Sequence, residues 1–289
     1  MRILITGANG MLAQSVKAKF EKENELILTD SKELDITDKD AVISEVSKLK
    51  PELIINCAAY TNVDGAEENV ELCERVNALG PTNLAIVAKL VDAPLVHIST
   101  DYVFGGNKPI TEEYSEDDEK APESVYGKTK LAGEVGIIKN TDKFYIFRTA
   151  WLYGEGKNFV RTMLNAGKTH DEVTVVDDQH GSPTYAEDLT SIIYEAITKK
   201  IPFGIYNSTN EGYTTWCDFT KKIYELSNLK TKVTGISTAE YMENAKKPVA
   251  KRPLNSKMSK DKLKSAGIDV PTWEDALKRY LVKEGEING

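Results

Sequence analysis

Short apolar runs alternate with longer stretches of helical spacing through the first half of the chain. Apolar runs of this length, bounded by polar or glycine-containing segments, are typical of strands buried in a parallel sheet. The predicted strands are Ile3–Thr6, Leu26–Thr29, Leu53–Ala58, Leu95–Thr100 and Tyr145–Thr149, and the predicted helices lie near 11–21, 38–49, 69–90 and 124–139. Repeated strand–helix units predict an α/β fold with a Rossmann-like, doubly wound parallel sheet.

The second half of the chain is less regular. It predicts strands at Val173–Val176 and Gly204–Asn207 and helices near 159–168, 186–199, 216–227 and 272–284. We therefore predict a dinucleotide-binding domain over residues 1–153, completed by part of 180–220. Residues 154–289 mainly form a smaller, discontinuous C-terminal α/β substrate lobe.

Composition excludes several classes of protein. The 289 residues are 40% hydrophobic and 28% charged, which is ordinary for a globular chain. A net charge of −8 argues against nucleic acid as a partner, because neutralising phosphate backbones takes an excess of lysine and arginine. The three cysteines are widely spaced, and the sequence has neither a secretory leader nor an apolar run of membrane-spanning length. We expect a cytoplasmic protein without a membrane segment or a disulfide framework.

A glycine-containing turn follows the first predicted strand. Its sequence is Gly7-Ala8-Asn9-Gly10-Met11-Leu12-Ala13, and a helix follows directly. Glycines let the backbone approach a pyrophosphate, which then rests on the positive end of the helix dipole. The turn therefore predicts cofactor contacts from Gly7, Asn9, Gly10, Met11 and Leu12, although a plain strand-to-helix turn is the simpler alternative.

Further cofactor contacts are predicted where later strands end. Asp30 lies 23 residues after Gly7, where a carboxylate can accept hydrogen bonds from the adenosine ribose, although a solvated turn residue has the same pattern. Asp35 and Ile36 are predicted to flank the adenine. Small residues, among them Ala58 and Ala59, follow the third strand. They could let the backbone pass close to the cofactor, or they could mark a tightly packed strand end. The remaining predicted contacts are Ala58, Ala59, Tyr60 and Ile98.

Tyr126 and Lys130 stand four residues apart at the start of a predicted helix. This spacing puts both side chains on one helix face, where an ammonium favours the phenolate of a nearby tyrosine and lowers its pKa. Tyr153 and Lys157 have the same spacing, but the glycines between them predict a loop. Beside a dinucleotide-binding turn, the first pair predicts the acid/base centre of a reductase.

Six ordered segments resemble the extended short-chain dehydrogenase/reductases. They are Asn56–Asp64, Ser99–Phe104, Val125–Lys130, Arg148–Tyr153, Asp178–Thr184 and Arg252–Ser256. Within this family, the closer resemblance covers nearly the whole chain and is to the reductases that act last in dTDP-L-rhamnose synthesis. The resemblance implies that NADH or NADPH reduces C4 of a nucleotide-linked keto sugar, and that a homodimer is possible.

The same resemblance assigns roles to individual residues. It implies that Tyr126 protonates the substrate's carbonyl oxygen, that Lys130 lowers the pKa of Tyr126 and binds the nicotinamide ribose, and that Thr100 hydrogen-bonds the same oxygen. Asp101 and Trp151 occupy positions that resemble sugar-contacting residues. From the residues alone, Thr100 and Asp101 also fit a strand-end cap, and Trp151 also fits a core aromatic.

Departures from the family pattern narrow the alternatives. Gln14-Ser15 stands where some relatives have an acidic residue of a metal-bridged dimer, so we assign no metal, although Glu187 and Asp188 remain available. Epimerases and 4,6-dehydratases share the fold, but dehydratases have a glutamate where Tyr102 follows Asp101 here, which argues against elimination. A non-catalytic relative, similar to the regulatory subunit of methionine adenosyltransferase, would not need the catalytic set.

Two segments have an uneven charge. Residues 246–264 contain one acid, Asp261, and eight basic residues, Lys246, Lys247, Lys251, Arg252, Lys257, Lys260, Lys262 and Lys264. This local positive field suits a nucleotide-sugar diphosphate, with Arg252 as the predicted contact, although a solvated surface explains most of the lysines. The acidic stretch Glu112–Glu119 is predicted to be a solvated loop.

Overall fold

The computed structural model describes residues 1–245 and 249–288. The strands are β1 Arg2–Thr6, β2 Glu25–Thr29, β3 Leu53–Asn56, β4 Leu95–Thr100, β5 Phe144–Thr149, β6 Leu152–Tyr153, β7 Glu172–Val176, β8 His180–Gly181, β9 Thr184–Tyr185, β10 Gly204–Asn207, β11 Thr214–Thr215 and β12 Lys232–Ile236. The helices are α1 Met11–Phe20, α2 Lys39–Leu49, α3 Val63–Glu68, α4 Val70–Glu74, α5 Gly80–Leu90, α6 Val125–Asn140, α7 Phe159–Thr169, α8 Ala186–Thr198, α9 Trp216–Leu226, α10 Thr238–Glu243, α11 Asp261–Ser265 and α12 Trp273–Lys283. No helix of these residues is long and apolar enough to cross a membrane.

A parallel sheet forms the centre of the molecule. In the described part of the chain it has six strands in the order β10-β5-β4-β3-β1-β2, and each neighbouring pair is parallel. The alternation of side chains along a strand sends Ile3 and Ile5 to one face and Leu4 to the other. The predicted α/β class and doubly wound sheet are therefore confirmed.

Helices cover both faces of the sheet. On one face α1 and α8 pack together and bury Val16, Phe20 and Leu189. On the other face α2 and α5 pack together and bury Val46 and Leu84. Because both faces are buried, the strands are continuously apolar, which is why their positions could be predicted.

A second core lies among the later elements. It packs residues of α7, α9 and α12 around Tyr153 and Tyr185, and Phe219, Trp273 and Tyr280 are among its buried members. Tyr153 is buried here, and residues 154–157 are not helical, so the predicted loop between Tyr153 and Lys157 is confirmed.

The predicted helix 69–90 is interrupted in the structure. A π-helical turn, Arg75–Leu79, separates α4 from α5. The side chain of Asn77 in this turn accepts from the backbone N–H of Tyr60 at 2.8 Å and donates to its carbonyl at 3.0 Å. This contact is tertiary, so helical periodicity could not reveal the break. The third strand also ends earlier than predicted, at Asn56.

The acidic loop is not solvated throughout, because Tyr114 and Glu116 are buried, which corrects the prediction at these two residues. Glu116 is buried, and its carboxylate accepts the backbone N–H of Asn207 at 2.9 Å. Its carbonyl accepts from the guanidinium of Arg148, which also pairs with the buried Glu134 at 2.7 and 2.9 Å. Buried charges need such partners, and these anchor the loop to β5 and β10.

Candidate active site

The turn after β1 approaches the end of β3 closely. Gly7 has a φ of +66°, and a Cβ at this position would stand 2.6 Å from the backbone N and Cα of Ala58. Only glycine fits both the left-handed conformation and the close approach. Gly10 precedes α1 without a side-chain cap, and the first turn of this helix has no acidic residue. The amide groups of Met11 and Leu12 are therefore available to an anionic ligand.

Asp30 lies beside this turn, just after β2. Its carboxylate accepts from the side-chain amide of Asn9 at 2.5 Å and from the backbone N–H of Lys32 at 2.8 Å. The bond from Lys32, followed by a bond involving Glu33, holds the pKa of Asp30 below its usual value. An ionised carboxylate that also orients Asn9 suits a ribose hydroxyl.

Not all predicted cofactor contacts lie together. Ile36 is buried in the core, where a Cβ on Gly80 would meet its side chain, and Asp35 is exposed and accepts the N–H of Thr37. The backbone of Tyr60 is hydrogen-bonded to the side chain of Asn77 in the π-helical turn. These residues do not line the cleft described next, so their contacts with a cofactor stay predictions.

A cleft of about 540 Å³ opens at the carboxyl ends of the parallel strands. The predicted site residues that line it are Gly10, Met11, Leu12, Ala58, Ala59, Ile98, Thr100, Asp101, Tyr126, Lys130 and Trp151. Residues that we did not predict also contribute, among them Tyr102, Leu152 and Trp216. Open α/β sheets bind ligands at this edge, because the loops after several strands converge there.

Tyr126 lies in the first turn of α6. The hydroxyl of Ser124 accepts from the N–H of Gly127 at 3.1 Å and caps the helix, and a Cβ on Gly127 would lie 2.6 Å from the carbonyl oxygen of Tyr102. Glycine thus lets the helix end approach the segment after β4. The rings of Tyr126 and Tyr102 meet edge-to-face at 5.4 Å.

Burial, and then the charge of Asp101, raises the pKa of Tyr126 well above that of a free tyrosine. The sequence predicted a lowered pKa from Lys130, so the direction is opposite in this structure. The reason is geometric, since the amine of Lys130 donates to the carbonyl oxygen of Ile98 at 2.6 Å and lies 3.2 Å from Nε2 of His97. Burial lowers the pKa of Lys130 to about 8.

Thr100 and Asp101 form a buried pair at the end of β4. The hydroxyl of Thr100 donates to the carboxylate of Asp101 at 2.9 Å and accepts the N–H of Tyr102 at 3.2 Å. The hydroxyl of Ser256 donates to the same carboxylate. Burial raises the pKa of Asp101 to about 6 despite these bonds. The strand-end cap and the cleft-lining role therefore coexist.

Arg252 does not line the cleft. Its guanidinium pairs with Asp64 at 2.9 Å and donates to the carbonyl of Ala250 at 3.1 Å. Several lysines of the basic segment also have partners: Lys251 pairs with Glu123, and the buried Lys260 donates to the hydroxyl of Tyr213. Lys251, Lys262 and Lys264 are nevertheless exposed, as the solvated-surface alternative predicts, and Lys246 and Lys247 lie outside the described residues.

Gln14 and the two acids considered as metal ligands, Glu187 and Asp188, all contact other residues of the chain. The side chain of Gln14 donates to the carbonyl of Ala8 at 2.8 Å, Glu187 pairs with Lys283, and Asp188 pairs with Arg279. Among the described residues, Asp177, Cys217 and Asp218 come close enough to hold an ion, but exposed acids often cluster without one.

Three residues that hold the site in place were not predicted from the sequence. His97 and Asn56 contact each other beneath Lys130, and Ser256 holds Asp101. The polar His97 within an apolar strand was a usable signal, since a buried polar side chain needs a partner.

A family model, a curated relative and two solved structures all resemble this chain over nearly its whole length. The model of the RmlD substrate binding domain matches residues 1–285. A dTDP-4-dehydrorhamnose reductase of Aggregatibacter actinomycetemcomitans is 41% identical, with 96% of this chain and 97% of that protein covered. The crystal structure of a dTDP-4-dehydrorhamnose reductase from Clostridium acetobutylicum is 44% identical, with a TM-score of 0.94 and coverage of 99% and 100%. A Bacillus anthracis dTDP-4-dehydrorhamnose reductase in complex with NADP is 40% identical, with a TM-score of 0.92 and coverage of 98% and 99%.

Proposed function

The chain belongs to the family of the RmlD substrate binding domain, whose members compared above are dTDP-4-dehydrorhamnose reductases, and from this we propose its reaction. It reduces dTDP-4-dehydro-L-rhamnose to dTDP-L-rhamnose with NADH or NADPH, in dTDP-rhamnose biosynthesis. The observation that carries this proposal is the cleft in which Thr100, Tyr126 and Lys130 converge beside the uncapped N-terminus of α1.

The turn after β1, together with Asp30, fits a dinucleotide. Gly7 and Gly10 leave room for a pyrophosphate, the first amides of α1 offer hydrogen bonds, and the Asn9–Asp30 pair suits the adenosine ribose. When bound, NAD(P)H supplies the hydride that reduces C4 of the keto sugar. Ala58, Ala59 and Ile98 leave an apolar wall for the nicotinamide end.

Tyr126 is proposed as the proton donor. Its raised pKa keeps the phenol protonated at neutral pH, and a protonated group is what a donor needs. As the carbonyl oxygen gains charge, Tyr126 transfers its proton to that oxygen, so the product leaves as an alcohol. Thr100 hydrogen-bonds the same oxygen, and the ammonium of Lys130 binds the ribose and stabilises the phenolate left behind.

The substrate is proposed to lie against Asp101 and Trp151. Trp151 has an apolar ring face in the cleft, and Asp101 offers carboxylate oxygens to sugar hydroxyls. Arg252 is proposed to bind the diphosphate, because its planar guanidinium can contact two phosphate oxygens at once. In this structure the guanidinium of Arg252 is paired with Asp64.

We propose that the two hydrophobic cores correspond to a cofactor-binding domain and a substrate-binding lobe. Residues 1–153, with α8 and β10, bind the dinucleotide, and most of 154–289 forms the substrate lobe. A homodimer is also proposed, because Leu72, Leu79 and Ile138 expose large apolar side chains on neighbouring helices, and equilibrium sedimentation tests it. Three free cysteines fit the cytoplasm.

Rival functions of the same fold make different demands. Elimination of water by a dehydratase needs an acid at the position of Tyr102, which here carries a half-buried phenol. A purely regulatory subunit would have no use for a complete Thr100, Tyr126 and Lys130 set. An epimerase would return its cofactor to the starting state after each cycle.

Oxidation of NADH and NADPH with a panel of nucleotide-linked 4-keto sugars tests the proposal. We expect stoichiometric oxidation with dTDP-4-dehydro-L-rhamnose and formation of dTDP-L-rhamnose, identified by mass and NMR. An interconversion of sugars without net cofactor oxidation would establish an epimerase instead. Binding of cofactor without any turnover of the panel would favour the regulatory subunit.

A further inference from the structure

A chain of buried polar groups runs from the first strand to Lys130. The hydroxyl of Thr6 donates to Oδ1 of Asn56 at 2.7 Å, Nδ2 of Asn56 lies 3.0 Å from Nδ1 of His97, and Nε2 of His97 lies 3.2 Å from the amine of Lys130. All four side chains are buried. The proposed reaction uses Lys130 but gives the other three no role.

The orientation of the Asn56 amide follows from a backbone group. The N–H of Ala58 contacts Oδ1 of Asn56 at 3.0 Å, and a backbone N–H can only donate, so the oxygen must face it. The amide nitrogen therefore faces His97 and donates to Nδ1. Nδ1 is then the acceptor, and the ring carries its proton on Nε2.

This tautomer points an N–H at the amine of Lys130. If the Lys130 amine is neutral, its lone pair accepts a hydrogen bond from this N–H. If it is an ammonium, it has only donors, and the two N–H groups repel each other. The neutral amine keeps a hydrogen for the carbonyl of Ile98, at 2.6 Å. The arrangement satisfies each of these polar groups when both His97 and Lys130 are uncharged.

The surrounding charges do not reverse the preference for a neutral Lys130. Glu134 on α6 and Cys73 on α4 both favour the ammonium of Lys130, but Glu134 is paired in two places with Arg148. Tyr126 and Asp101 line the same cleft. Burial lowers the pKa of Lys130 to about 8, and burial followed by the charge of Lys130 lowers the pKa of His97 well below its ordinary value.

We propose that His97 is a positioning residue for Lys130, which holds the lysine amine against β4 and, with its proton fixed on Nε2 by Asn56, disfavours the ammonium form. The importance of His97 for turnover rests on the proposed function, in which Lys130 acts as a cation. His97 and Asn56 thereby set the pH above which the protein loses this charge.

Nitrogen-15 NMR of histidine-labelled protein tests the tautomer directly. The chain has three histidines, His97, His170 and His180, so the spectrum is simple, and the His97→Leu variant assigns the signal. We expect His97 to be neutral and protonated on Nε2 from pH 5.5 to 8.5. A proton on Nδ1, or an imidazolium that titrates near pH 6.5, would overturn the proposal.

The Asn56→Asp variant tests the effect on Lys130. A carboxylate still accepts from Thr6 and Ala58, but its second oxygen now accepts from Nδ1, so the ring proton moves and Nε2 accepts from the ammonium. We expect the basic midpoint of NADPH affinity, followed by fluorescence, to rise by roughly one pH unit or more, equivalent to about tenfold. An unchanged midpoint would overturn the proposal.

The new carboxylate also carries a charge, and a double variant separates the two effects. If the shift passes through His97, it should disappear in Asn56→Asp combined with His97→Leu. If it persists there, direct attraction explains it and His97 has no positioning role. Neither NMR nor NADPH affinity depends on turnover, so these results stand apart from any failure of the reductase assay.

Discussion

The indole rings of Trp151 and Trp216 stack at 3.8 Å with their planes 16° apart. Trp151 follows β5 of the central sheet, and Trp216 begins α9 and packs against the second core, so the stack connects these two parts of the protein at the cleft. Trp151 has a φ of +49°, which is strained for a bulky side chain. Stacking stabilises this conformation and aligns one wall of the predicted sugar pocket.

Replacing Tyr126 by phenylalanine should remove the proton donor and leave the cofactor contacts in place. Loss of a general acid costs about 10²–10⁴-fold in rate. We expect kcat to fall within this range while NADPH affinity, measured by fluorescence, changes less than about twofold. The edge-to-face contact with Tyr102 needs only the ring and should survive.

Tyr153→Phe is the matched control, because Tyr153 begins the other tyrosine–lysine spacing. Its buried hydroxyl has no hydrogen-bond partner among the described residues, so its removal should not destabilise the fold. We expect near wild-type turnover. A Tyr126→Phe enzyme within threefold of wild type, or an equal loss in both variants, would refute the assignment of Tyr126.

Asp30 should favour NADH over NADPH or leave the two equal. Its carboxylate accepts from a free 2′-hydroxyl and repels a 2′-phosphate, although Lys32 close by softens that repulsion. The test compares kcat/KM for both cofactors in wild type and Asp30→Ala. We expect the variant to shift towards NADPH. A strong NADPH preference in wild type, or unchanged selectivity in the variant, would contradict this role.

Arg252→Lys should weaken binding of dTDP measured by calorimetry. The substitution keeps the charge but removes the planar fork, and the loss of a charge-assisted contact worth about 1.5–3 kcal/mol corresponds to roughly ten- to a hundredfold. Lys251→Ala is the control, since that neighbouring cation is exposed and pairs with Glu123. Unchanged dTDP affinity in both Arg252→Lys and Arg252→Ala would place the diphosphate elsewhere.

Asp101 should make the folded protein less stable as pH rises from about 4 to 7. Its folded pKa of about 6 lies above the ordinary 3.8, so the folded state holds the proton more tightly and its advantage is lost as pH rises through 6. The cost at neutral pH is roughly 2–3 kcal/mol. Urea unfolding at pH 5 and 8 should show a smaller pH dependence in Asp101→Asn. An identical dependence in variant and wild type would contradict the burial effect.

The sequence predicted what depends on local pattern and missed what depends on distant partners. The spacing of Tyr126 and Lys130 correctly predicted one helix, but the direction of the lysine amine depends on the carbonyl of Ile98 in β4. Ser256 reaches Asp101 across 155 residues, a separation that periodicity cannot bridge. Strands of two residues, such as β8 and β9, are too short to show alternation.

The pairing of β10 with β5, and the packing of α8 on α1, have a consequence for synthesis on the ribosome. Residues 1–153 emerge first, with one edge of β5 open and the apolar face of α1 uncovered. At about 5–20 residues per second, roughly 3–10 s pass before residue 207 follows. An open strand edge invites pairing with another chain. During this interval the nascent chain therefore exposes a strand edge and a helix face that the folded protein covers.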